Sequence, residues 1–124
     1  MAKKRILIVD DEADFTHLVK INLEAAGSYE VRTENEGLNV LAAVKEFKPN
    51  LILLDIVMPD MDGGDVAFQL NDDESTRDIP IVFLTAIATK EDVEKGKGLI
   101  NGYHFLAKPV TTEELIRCIE KIVI

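Results

Sequence analysis

Tryptophan is absent from this chain of 124 residues, cysteine occurs once, proline four times, and cations are outnumbered by anions. The lone Cys118 excludes an internal disulfide and suits a reducing cytosol. Lys and Arg number 14 against 23 Asp and Glu, for a formal net charge of -9, which works against direct contact with a nucleic-acid backbone. A cationic or metal-bridged partner is easier to accommodate. Long apolar runs are also missing. Lys3, Lys4 and Arg5 precede only Ile6 to Val9 before Asp10, Asp11 and Glu12 intervene, too short for a signal peptide or a bilayer span. These absences describe a soluble, cytoplasmic chain with no membrane or nucleic-acid partner. Without a repeat or a low-complexity stretch, residues 1–124 read as a single domain.

What is present is a series of short apolar runs, each ending in a polar or charged residue. Leu51-Ile52-Leu53-Leu54 reads as a strand covered on both faces, and it runs straight into Asp55, with Pro59 and Asp62-Gly63 forming the turn beyond. Ile6 to Val9 ends in the same way at Asp10 and Asp11. Ile81 to Leu84 ends at Thr85-Ala86, Tyr103 to Leu106 leads to Lys108-Pro109, and Tyr29 to Thr33 gives a weaker strand. Between them lie helical spacings. Phe15, Leu18, Val19, Leu23 and Ala26 mark the first, ending near Gly27; Leu38, Val40, Leu41, Val44 and Phe47 mark the second, stopped before Pro49. Val66, Ala67 and Leu70 suggest a short third helix, and residues 90–98 a thin fourth with Val93 as its large apolar residue. Thr111 and Glu114 fit a capping box before a last helix whose stripe is Leu115, Ile119, Ile122 and Val123.

Five strands alternating with about five helices predict a doubly wound α/β fold around a parallel sheet, flavodoxin-like if the strand order is 2-1-3-4-5. In such a sheet all strand ends lie along one edge, and ligands bind where the order reverses, between the first and third strands. Asp10, Asp11, Asp55, Thr85 and Lys108 then meet in one pocket. Any one of these residues alone is explained as well by a turn or a helix cap; their joint placement points to chemistry. Two carboxylates about 4 Å apart repel by roughly 4 kcal/mol at an effective dielectric constant near ~20. Counting Asp10, Asp11 and Asp55 against Lys108 leaves two negative charges, which a hard divalent cation, Mg²⁺, would offset while keeping sites for phosphate oxygens. Asp55 is then a candidate nucleophile forming an acyl phosphate, with Lys108 balancing charge and Thr85 donating a hydrogen bond. Small Ala86 leaves room for the donor.

The chain resembles the receiver domain of two-component response regulators, on the strength of Asp10-Asp11, the stretch from Asp55 through Met58-Pro59 to Asp62-Gly63, Thr85-Ala86 and Lys108-Pro109. The resemblance implies that Asp55 takes a phosphoryl group from a histidine kinase or phosphotransfer protein. It implies that Asp11, Asp55 and the backbone carbonyl of Val57 ligate Mg²⁺, with Asp10 beside them or bridged through water. It also implies that Thr85 and Lys108 contact the phosphoryl oxygens. A switch pair of Thr85 and Phe105 would alter the face made by the fourth helix, fifth strand and last helix, for a downstream protein target, an output domain elsewhere in a longer chain, or a second copy. Phe105 lacks the hydroxyl of the tyrosine often found in that family, and 101–104 departs from its usual stretch before the fifth strand. Val57 and Ile87, each two residues past a site residue, are apolar, so slow self-dephosphorylation is expected, and no reaction on a separate substrate. Three other readings fit less well. An aspartyl phosphatase of the haloacid dehalogenase type needs an acid where Val57 stands. A flavodoxin-like cofactor binder needs glycines or hydroxyls where Asp10-Asp11-Glu12 would repel phosphate. A phosphorylation-independent interaction domain leaves Asp55, Thr85 and Lys108 without a use.

Overall fold

The computed structural model describes residues 3–86, 99–100 and 103–123. Strands β1 (Lys4–Val9), β2 (Tyr29–Glu34), β3 (Leu51–Asp55), β4 (Ile81–Thr85), β5 (Leu99–Ile100) and β6 (Tyr103–Ala107) form one sheet in the order β2-β1-β3-β4-β6-β5. The five longer strands are parallel and follow the expected 2-1-3-4-5 sequence. The two-residue β5 is an addition, pairing antiparallel on the outer edge of β6. Helices α1 (Ala13–Ala25), α2 (Val40–Phe47), α3 (Gly63–Asp72) and α4 (Thr112–Ile122) complete the described elements, with a short 3-10 turn at Gly37–Asn39 before α2. The helix expected over 90–98 and the apolar Ile87 lie outside the described residues.

The sheet is sandwiched because its central strands have no polar face to give to water. Side chains alternate across a strand, and here both faces are apolar. Ile6, Ile8, Leu51, Leu53, Val82 and Leu84 pack on one side with Val19 and Leu23 of α1 and Leu115 and Ile119 of α4. Leu7, Val9, Ile52, Leu54 and Phe83 pack on the other with Val40 and Val44 of α2 and Val66, Ala67 and Leu70 of α3. Burying a Leu or Ile side chain contributes roughly 1.5–3 kcal/mol, and all four residues of Leu51 to Leu54 are fully buried. The strand that delivers Asp55 is therefore firmly held on both faces.

Two large apolar residues of the expected stripes point outward. Leu18 is 57% exposed, while Thr16, one turn before Val19, is buried in its place. The α1 stripe runs through Thr16, Val19 and Leu23, and Thr16 satisfies its hydroxyl on the Ala13 carbonyl at 3.0 Å. Leu38 is 69% exposed because it falls in the 3-10 turn, whose tighter winding takes it off the α2 face. Helix α2 closes with Lys48 in the left-handed region, φ 52°, immediately before Pro49. The capping box of α4 is present in both directions, Glu114 N–H to Thr111 Oγ1 and Thr111 N–H to Glu114 Oε1, each 3.1 Å. The Lys108-Pro109 peptide is cis.

Candidate functional site

The carboxyl ends of β1, β3, β4 and β6 stand side by side. Val9 pairs with Leu54, Asp55 with Leu84 and Thr85 with Ala107, so Asp10, Asp55, Thr85 and Lys108 all fall at or just past one edge of the sheet. The Lys108 amide donates to the Thr85 carbonyl at 2.8 Å, tying the last two strand ends together. Asp10, Asp11 and Asp55 each offer a carboxylate oxygen, and those oxygens all lie within 4.8 Å of one another. The sequence-derived acids and Lys108 are thus brought together. Thr85 is buried at the end of β4, next to this group in register.

Burial and charge act differently on each member. Asp10 is fully buried, and both its oxygens are engaged: Oδ1 accepts from the Glu12 amide at 2.9 Å and Oδ2 from Lys108 Nζ at 2.5 Å. Lys108 Nζ also stands 3.6 Å from Asp55 Oδ1. Burial works against the Lys108 ammonium, but the hydrogen bond and charge of Asp10, with Asp55 behind them, outweigh it and raise its pKa. Asp55, 7% exposed, is pushed up to about 6, first by burial and then by the charge of Asp10; Lys108 pulls it down, Asp11 pushes it up and the Val57 backbone N–H pulls it down. A carboxylate held with this much unrelieved repulsion favours any cation that reaches it. Asp11, by contrast, is exposed at the mouth of the cluster.

The loop after β3 is shaped by close backbone approach. The Gly63 amide donates to the Ile56 carbonyl at 2.6 Å, and a Cβ at Gly63 would overlap the Asp55 carbonyl oxygen and the Ile56 Cα. Only glycine fits there. Asp62 caps α3 by accepting from the Asp65 amide at 3.0 Å. Val57, on this loop, leaves its side chain 61% exposed. Phe105 is half-buried on β6, with its ring tilted 32° against Phe83 at 5.1 Å; Tyr103 meets the same Phe83 edge-on at 5.2 Å.

One contact at the site was not legible in the sequence. Lys108 Nζ lies 4.8 Å from the centroid of the Phe15 ring, in the first turn of α1. An aromatic face attracts an ammonium at this range, so Phe15 is a third partner of the lysine beside the two acids. At its helical spacing Phe15 reads only as core, and nothing in the sequence separates the two roles.

Among the described residues, no helix is long and apolar enough to cross a membrane. The family model described as the response regulator receiver domain matches residues 6–120. The polar-differentiation response regulator DivK of Brucella anthropi is 36% identical over 118 residues, covering 94% of each chain. The DNA-binding dual master transcriptional regulator RpaA of Synechocystis is 41% identical over 90% of this chain, which spans 46% of that protein. The chain thus covers about half the length, or less, of several curated relatives it matches, the phosphate regulon regulator PhoB of Pseudomonas aeruginosa among them at 50%. In structure it is similar to the chemotaxis protein CheY4 of Vibrio cholerae, with a TM-score of 0.82, 28% identity and coverage of 98% and 99% of the two chains. Order of strands, clustered strand-end acids and these likenesses agree, and the chain belongs to the response regulator receiver domain family.

Proposed function

We propose that residues 1–124 act as one cytoplasmic receiver domain in which Asp55 accepts a phosphoryl group from a phosphohistidine on a kinase or phosphotransfer protein. The observation that carries this is the strand-end cluster: a buried carboxylate with a raised pKa, beside two further acids and a lysine that reaches both Asp10 and Asp55. An Asp55 oxygen attacks phosphorus, a P–O bond forms as the P–N bond breaks, and the histidine leaves as neutral imidazole once its nitrogen is protonated. Lys108 balances charge on the transferring oxygens, and Thr85 donates to one of them.

Three carboxylates against one ammonium form a hard oxygen donor set with net negative charge, which fits Mg²⁺. Asp11, Asp55 and the Val57 carbonyl would hold the ion directly, with Asp10, both of whose oxygens are already engaged, in support. Bound there, Mg²⁺ supplies charge neutralisation for the incoming phosphoryl group. Exposed Leu18 and Ile21 give a donor protein an apolar surface on α1, the helix that follows Asp10 and Asp11. Output runs through Thr85 and Phe105 to the face that carries β6 and α4, for a downstream protein or an output domain, with pairing of two copies through that face a second use. The domain acts on no separate substrate, and its own dephosphorylation is slow.

The test is incubation with a small acyl-phosphate donor, with and without Mg²⁺, followed by intact mass. One added phosphoryl group that disappears with chelator is expected. Equal labelling without a divalent cation contradicts the role given to the acid cluster.

A further inference from the structure

Since β1 lies between β2 and β3, the chain leaving β2 has to pass over the end of β1 before it meets the loop that follows β3. It makes contacts on both sides. Asn35 Nδ2 donates to the main-chain oxygen of Asp10 at 2.8 Å and to Thr16 Oγ1 at 3.0 Å, using both hydrogens of one amide group. Thr16 Oγ1 in turn donates to the Ala13 carbonyl, so Asn35 is fastened to the start of α1 as well as to the end of β1. Two residues further on, the Gly37 and Leu38 amides donate to Oδ1 and Oδ2 of Asp60, at 3.2 and 3.1 Å. Gly37 sits so close to this loop that a Cβ there would stand 2.8 Å from the Met61 carbonyl oxygen. The Leu38 amide, ahead of the others, keeps the Asp60 carboxyl below the usual carboxylate range.

Asp10 and Asp11 begin the loop after β1; Asp55 closes β3, and Val57 lies on the loop that β3 leads into. Three like charges tend to drive these loops apart, and what resists that sets how well a cation is held. We propose that residues 35–38 form a strap that fixes the spacing of the two loops and thereby sets the affinity of the acid cluster for a divalent cation, with Asn35 and Asp60 as its positioning residues. This rests on reading the cluster as a cation site. Neither residue contributes one of the clustered carboxylates; Asp60 acts through the Gly37 and Leu38 amides, and Asn35 through the Asp10 carbonyl and the Thr16 hydroxyl.

The test uses the full chain and two readouts: calorimetric titration with Mg²⁺ and Mn²⁺, and amide hydrogen exchange without metal. Asn35→Ala and Asp60→Ala should each weaken cation binding about tenfold, the range found for residues that support metal ligands. Asp60→Asn, which keeps one acceptor oxygen, should fall between them and the native chain, and it serves where Asn35→Ala does not fold. Asp73→Ala is the control. It removes a carboxylate that accepts from Ser75 at the far end of α3, and should bind cations as the native chain does. Exchange over residues 10–16 should rise in Asp60→Ala, although Asp60 touches none of them. Unchanged affinity in both strap variants, or an equal loss in Asp73→Ala, overturns the proposal. A native chain that binds neither cation defeats the cation reading instead; exchange over 10–16 then decides the strap alone, faster in Asp60→Ala keeping it and unchanged sinking it.

Discussion

Replacing Asp55 by Asn should make the domain more stable in the absence of divalent cations, and the gain should depend on pH in a defined direction. The Asp55 carboxyl is raised from 3.8 to about 6. An acid whose folded pKa lies above its unfolded value favours the folded state while protonated, so its contribution is complete below 3.8 and is lost as pH climbs through about 6. A tenfold change in proton affinity is worth about 1.4 kcal/mol, so a rise of this size sets an upper bound of roughly 3 kcal/mol. Water at the open strand end screens part of this, and we expect about 1–2 kcal/mol. Asp55→Asn keeps the shape and removes the charge. Urea denaturation of both proteins across pH should show curves that nearly coincide at the acid end, diverge through the window between those two pKa values, and run parallel above it. Taking the difference cancels carboxyls such as Asp60 and Asp73, whose lowered pKa values give the opposite slope in both proteins. Saturating Mg²⁺ should stabilise the native chain more than the variant and shrink or reverse the gap. A native chain more stable than Asp55→Asn at neutral pH without metal, or a gap that ignores pH, would refute the electrostatic account of the site.

Lys108→Ala strands the fully buried Asp10 carboxylate, and removing one partner of such a pair should destabilise by roughly 3 kcal/mol; urea midpoints measure it, and adding Asp10→Asn should restore much of the loss. Gly63→Ala forces a Cβ into the Asp55 carbonyl, so about 1–3 kcal/mol of stability should go together with phosphoryl acceptance; a variant with native stability and native labelling would contradict the close approach. The exposed Val57 side chain has no polar atom with which to orient an attacking water, so the acyl phosphate should outlast seconds and Val57→Asn should shorten its life, read as decay of the phosphorylated mass. Phe15→Leu keeps the packing and removes the aromatic face from Lys108; labelling by the acyl-phosphate donor should slow while the unfolding free energy from urea denaturation stays within about 1 kcal/mol of the native value.

The sheet and its loaded edge were legible in the sequence because both depend on local pattern. Four-residue apolar runs ending in Asp10, Asp55 and Thr85 specify buried strands and where they stop, and Thr111 and Glu114 announce α4 by reciprocal bonds three residues apart. The misread positions are those where tertiary contact decides. Thr16 takes the place expected of Leu18 because its hydroxyl finds the Ala13 carbonyl and Asn35. Leu38 leaves the α2 face because the chain winds as a 3-10 turn whose amides are held by Asp60, twenty-two residues away. Neither the Asp60 contacts with backbone amides nor the aromatic face that Phe15 offers Lys108 leaves a periodic trace. Five of the six strands among the described residues were visible, and β5 was missed because two residues carry no pattern.

The measurement that bears most directly on the central claim is the position of the phosphoryl group. Borohydride reduces an acyl phosphate of aspartate to homoserine, so treatment of the phosphorylated chain followed by peptide mass spectrometry marks the acceptor. Conversion is expected at position 55 alone, with Mg²⁺ present, and none in Asp55→Asn. Homoserine at Asp10 or Asp11, or a phosphoryl group that survives borohydride on a hydroxyl or imidazole, would contradict it.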